Sequence, residues 1–161
     1  MGTIFLLMQG VSNYPDFREG IRLIYNDSKR LAEYIVSESQ FSAGSKHADV
    51  IRLEARTGII GSIQKVISQL ETIKSGANGS ILATDLVKKL DETKQEINKL
   101  MDNIENDSDK QLIFNGLSEV VAGIPSIPKP PKDKSNPPHA IIEFQERRRR
   151  LRASFNIDKN S

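Results

Sequence analysis

Apolar residues recur every three or four positions through most of the first 123 residues, the spacing that places side chains on one helix face. From Ile59 the apolar positions are separated by four, three, four and three residues, and from Leu86 by four, three, four, three and four, with Thr93 inside the second series. Such a repeat is typical of helices packed lengthwise against each other. The intervening residues, 75–80, have the composition of a turn. The pattern therefore predicts an antiparallel hairpin of two long helices. The first helix covers residues 46–74, and the second follows the turn and ends at about residue 106.

Two further helices are predicted on either side of this hairpin. One begins near Pro15, because proline is favoured at the first helical position, and carries an apolar stripe with Phe17 and Ile21 to about residue 40. The other follows a capping box, Ser108 to Gln111, and ends at Gly123. The predicted fold class is all-α, a small antiparallel helical bundle built on a long helical hairpin.

The chain changes character at Gly123, since six of its seven prolines follow that residue. Residues 124–138 are predicted to be extended, and fifteen residues of polyproline II span about 45 Å as a semi-rigid spacer. Helical character returns from residue 140, where apolar positions again share one side. The sequence thus predicts a helical body (1–123), an extended Pro-rich linker (124–138) and a basic helical arm with a tail (139–161).

Charge separates the same two parts of the chain. Residues 125–161 carry nine basic and four acidic side chains, a net charge of +5, whereas the remainder carries −3. An acidic body with a basic arm attracts acidic proteins, further copies of itself or nucleic acid.

The arm supplies the candidate partner-binding residues. Arginine suits bidentate contacts to carboxylates or phosphates, and apolar side chains on the same helix provide area to bury. Docking on another protein, contact with nucleic acid, and simple solvation of a basic helix end are the three interpretations that the pattern leaves open. The predicted binding residues are Pro128, Pro131, Phe144, Arg147, Arg148, Arg149, Arg150, Leu151 and Phe155.

Composition argues against most kinds of reactive centre. The chain has no cysteine, which excludes disulfides, thiol nucleophiles and cysteine-ligated metals. Its two histidines, His47 and His139, stand apart, and His139 with Glu143 gives two candidate ligands where a metal site needs three or four. Phosphate-binding loops and nucleophile motifs are also missing from the sequence. We therefore predict a protein that is not an enzyme and that needs neither a metal nor another cofactor.

The first eight residues are apolar but lack the basic start and the small-residue cleavage site of a secretory signal. No stretch approaches the ~20 apolar residues of a membrane span. We expect these residues to pack on the body or on a neighbour, and the chain to be intracellular or virion-associated rather than secreted.

The resulting hypothesis is a structural or adaptor component of a larger protein assembly, of which a viral or phage particle is one example. It would be held to neighbouring subunits by its C-terminal arm and its apolar N-terminus, with homo-oligomerisation as one form of this. The alternative is a nucleic-acid-binding module that uses the arginine-rich C-terminal helix.

Overall fold

The computed structural model describes the backbone of residues 17–22, 25–26 and 46–160, and the side chains of 17–22, 25–26 and 58–158. Its long helices are α1 (Lys46–Ala77), α2 (Ala83–Asp102), α3 (Asp107–Ala122) and α4 (Pro138–Ser154), followed by a 3₁₀ turn (Ile157–Asn160). Residues 17–22 and 25–26 are helical and belong to the first predicted helix. The rest of that helix and the apolar N-terminus lie outside the described residues. The predicted all-α fold class is confirmed.

Helices α1 and α2 form the predicted hairpin, but α1 continues three residues beyond its predicted end. Gly76 is buried inside this last turn of α1. A Cβ at this position would lie 2.7 Å from Cδ1 of Ile81, so the absence of a side chain lets the returning chain approach the helix. The turn itself uses Gly79, whose φ of 122° is a conformation that favours glycine.

The two seams meet at the centre of the core, as the spacing predicts. The six residues expected between the helices are each at most 5% exposed: Ile63, Val66, Leu70, Leu90, Ile97 and Leu100. Ile60 and Ile67, which widen the α1 stripe, are buried as well, and α1 also contacts α3. Burial of apolar surface along these seams is the main stabilising contribution to such a bundle.

The capping box predicted at the start of α3 is wrong. The residue that caps this helix is Asn106, whose Oδ1 accepts hydrogen bonds from the backbone N–H groups of Ser108 and Asp109 at 3.0 and 3.2 Å. Gln111 instead donates to Oδ1 of Asn115, 2.9 Å away on the same helix. Asparagine is among the best N-cap residues, so the helix begins two residues earlier than a serine cap would place it.

Helix α4 packs along α2 and completes the bundle. Asn136, just before α4, contacts Ala83 at the start of α2, and Arg147 contacts Asp91 further along, so the two helices run parallel. The apolar side of α4 belongs to the same core cluster as the hairpin. The predicted separation into a body (1–123) and an arm (139–161) is therefore corrected, because one core includes residues from both.

Candidate protein-binding surface

The apolar residues predicted to bind a partner are internal. Phe144, Leu151 and Phe155 are 0%, 1% and 4% exposed, and the ring of Phe155 lies 5.1 Å from that of Phe114 on α3, measured between centroids. The assignment of these three side chains to a partner surface is corrected, since the chain's own body covers them. Their spacing identified the apolar side of α4 but not its neighbour.

The Pro-rich segment lies against the hairpin turn instead of spanning the distance to a partner. Pro128 is buried and Pro131 is half-buried, and the backbone N–H of Lys129 donates to the carbonyl of Ala77 at 2.8 Å. Next along the segment, Asn136 donates from Nδ2 to the carbonyl of Pro128 at 3.0 Å. The expected extended spacer, residues 124–137, thus packs over the α1–α2 turn, and we call this segment the strap. Pro128 is not available to a partner.

Two of the four consecutive arginines are held by contacts within the chain. Arg147 Nε lies 2.9 Å from Asp91 Oδ1 on α2, and Arg148 Nε donates to the carbonyl of Ile124 at 2.8 Å. Burial is the main cause that lowers the pKa of the Arg148 guanidinium, and repulsion from Arg152 adds to it. These two arginines join α4 to the body, so they correct the expectation that the whole run faces a partner.

Arg152, which the sequence interpretation left out, has a similar structural role. It forms an ion pair with Asp158 at 2.8 Å and donates to the carbonyl of Ala122, the last residue of α3, at 3.3 Å. Hydrogen bonding from Arg152 is the main cause that lowers the pKa of the Asp158 carboxyl. Helix α3 has no basic residue in its own last turn, and Arg152 from α4 binds the carbonyl of its last residue, at the negative end of the helix dipole.

The remaining two arginines, Arg149 and Arg150, are exposed. Arg150 forms an ion pair with Glu146 one turn earlier on the same helix. Arg149 makes no hydrogen bond or ion pair with the part of the chain that the structure describes. These two residues are the part of the predicted arginine site that is open to a ligand.

Two large apolar side chains are mostly exposed among the described residues, and sequence reasoning selected neither of them. They are Ile127 in the Pro-rich strap, 61% exposed, and Ile142 on α4, 64% exposed. Ile142 lies two positions before buried Phe144, which places it on the opposite side of the helix. An isoleucine outside the buried stripe of an otherwise charged helix was the signal that could have identified it.

Ile142 and the two exposed arginines, Arg149 and Arg150, share one surface, which we call the outer face of α4. This face consists of Ile142, Glu143, Glu146, Arg149, Arg150 and Ala153. Its two glutamates and two arginines cancel, so the basic charge of the C-terminal segment is not concentrated here.

A cavity of about 230 Å³ lies between α1 and α2, away from the outer face of α4, and polar and charged side chains line it. Among these, Gln69 has a buried Oε1 with no hydrogen-bond partner. His139 and Glu143, weighed above as metal ligands, are both exposed, and no group of three His, Asp or Glu side chains that could hold a metal ion occurs in the described ranges. Within those ranges the structure also has no helix long and apolar enough to span a bilayer.

Comparison with protein-family models, with curated protein sequences and with solved structures finds no match to this chain.

Proposed function

We propose that this chain is a non-enzymatic structural component of a larger protein assembly, and that the outer face of α4 contacts a neighbouring subunit. The observation that carries the proposal is the exposure of Ile142 on a helix whose opposite side is fixed in the core. Burying such a side chain in an interface contributes about 1.5–3 kcal/mol. Because α4 is already folded and packed, little conformational entropy is lost when a partner covers it.

The exposed charges support a protein partner over nucleic acid. A nucleic-acid-binding surface concentrates positive charge, whereas the outer face of α4 is neutral and exposes two of the four consecutive arginines, Arg149 and Arg150. Two such contacts give a log–log salt slope of only about −2. Mixed charges around an exposed isoleucine instead resemble the composition of a protein interface with a polar rim.

The test is size fractionation of a lysate from the chain's native cells, with and without nuclease treatment, with the tagged chain expressed at its normal level. We expect the wild-type chain to elute well above its own mass of 18.0 kDa and Ile142→Glu to elute as the free protein. Gln95→Glu on the exposed side of α2 is the matched control and should stay in the large fraction.

Elution of the wild-type chain as a free monomer would overturn the proposal. Loss of the large fraction on nuclease treatment alone would show that nucleic acid, not protein, holds the chain there. Circular dichroism of each purified variant distinguishes a lost contact from a lost fold.

A further inference from the structure

Helix α4 carries two seams with the same spacing on opposite sides. The inner seam, Phe144, Arg148, Leu151 and Phe155, has steps of four, three and four residues and faces the body. The outer face repeats these steps with Ile142, Glu146, Arg149 and Ala153, which we call the outer seam. The outer seam has apolar residues at its two ends, Ile142 and Ala153, and opposite charges between them, Glu146 and Arg149. Only the inner seam has a neighbour among the described residues.

The order of residue types along the outer seam indicates which neighbour fits. If two copies of the seam lie antiparallel, Glu146 of each copy faces Arg149 of the other, and Ile142 of each faces Ala153. A parallel arrangement would place glutamate on glutamate and arginine on arginine, and like charges in such positions are destabilising. The seam is thus complementary to itself in the antiparallel orientation alone, which is the requirement for a two-fold symmetric interface.

We propose that the second neighbour is another copy of this chain, and that the outer seams of two copies pair antiparallel about a two-fold axis. This inference rests on the proposed function and names the partner of the same face. It also gives a partner to Arg149, which makes no ion pair within the described chain, through Glu146 of the second copy. Glu146 already pairs with Arg150 of its own helix in an exposed contact, so its second carboxylate oxygen would accept from Arg149. Only Ile142 contributes a large apolar side chain to each half, so the expected dimer is weak and its population depends on protein concentration.

Charge reversal tests the pairing by sedimentation velocity on the purified full chain. Glu146→Arg gives a seam with two positive charges and Arg149→Glu a seam with two negative charges, and each single variant should associate roughly tenfold more weakly than wild type. An equimolar mixture of the two variants restores all opposite-charge contacts and should dimerise like wild type. The double variant E146R/R149E, which carries both exchanged charges on one chain, should dimerise like wild type without a second variant.

Engineered cysteines test the orientation, because the natural chain has no cysteine to interfere. Under mild oxidation, a mixture of Ile142→Cys and Ala153→Cys chains should form the mixed disulfide faster than either chain couples to itself. Faster coupling of Ala153→Cys chains to each other would indicate a parallel pair and overturn the proposed geometry.

Self-pairing is also overturned if wild type stays monomeric at about 500 µM, a concentration at which even millimolar association is visible. It is equally overturned if the mixture of the two charge-reversal variants dimerises no more strongly than either variant alone. A chain that is monomeric when pure but elutes in a large particle from its cells removes self-pairing and leaves the proposed function intact. A chain that is monomeric in both settings removes both.

Discussion

The side chain of Asn136 caps helix α2 from a position 53 residues further along the chain. Its Oδ1 accepts a hydrogen bond of 2.9 Å from the backbone N–H of Ala83, the first residue of α2. Leu82, the residue at the N-cap position, has no side chain able to do this. Because the same amide also donates to the carbonyl of Pro128, one side chain fixes the strap to the start of the hairpin's second helix.

We expect Asn136→Ala to lower the free energy of unfolding by about 1–2 kcal/mol, because it removes a helix cap and leaves the Pro128 carbonyl without its donor. Urea denaturation followed by circular dichroism measures this. The neighbouring Ser135→Ala is the matched control, since Ser135 is exposed and should change stability by less than about 0.5 kcal/mol. Equal stabilities of the two variants would show that the cap contributes nothing.

Periodicity was sufficient to predict the hairpin because each of its helices buries one continuous stripe. The alternation of three and four residues identifies that stripe without knowledge of the partner helix, and all six residues expected between α1 and α2 are buried. The exact ends were less accessible to sequence reasoning. Gly76 lies inside the helix and Ile81 packs closely against it, and this contact cannot be read from local composition.

The same periodicity identified the apolar side of α4 but could not show what it contacts. A stripe that includes Phe144 and Leu151 fits the core of its own chain and the surface of another equally well. The prolines predict an extended segment, yet its path is fixed by single hydrogen bonds such as that from Lys129 to Ala77. A basic run also gives no sign of which arginine donates to a backbone carbonyl elsewhere in the chain, as Arg148 does to that of Ile124.

If α4 is part of the core, truncating its buried ring must reduce stability. Phe144→Ala should lower the free energy of unfolding by about 3–5 kcal/mol, since Phe144 is fully buried and its removal leaves a cavity. Urea denaturation at a protein concentration of about 1 µM keeps self-association out of the measurement.

Ile127→Ala serves as the control for this change, because it also removes a large apolar side chain from the C-terminal segment but at an exposed position. We expect an effect within about 0.5 kcal/mol. If Phe144→Ala were as mild as the control, α4 would not be packed on the body in solution. Residues 139–161 would then again be a candidate arm that binds a partner, as the sequence alone predicts.

Two glycines in helices give opposite predictions for the same substitution. Gly116 on α3 lies against the ring of Phe17, and a Cβ there would be 2.5 Å from Cδ1 and Cδ2 of that ring. Within the described residues, a Cβ added at Gly58 on α1 would have no atom within 4 Å beyond its chain neighbours and the backbone of its own helix. Gly116→Ala should therefore destabilise the fold by about 1–3 kcal/mol through overpacking, despite the better helix propensity of alanine.

Gly58→Ala should instead stabilise the fold by up to about 1 kcal/mol, because alanine costs less backbone entropy in a helix and its Cβ meets no close neighbour among the described residues. Thermal and urea denaturation of both variants and of wild type shows whether each substitution raises or lowers the free energy of unfolding. The double variant Phe17→Ala with Gly116→Ala identifies the cause: once the ring is removed, alanine at 116 should no longer be unfavourable relative to glycine. If it remained so by more than about 1 kcal/mol, the helical residues 17–22 would not pack on α3 in solution, and some other contact would account for the conflict at Gly116.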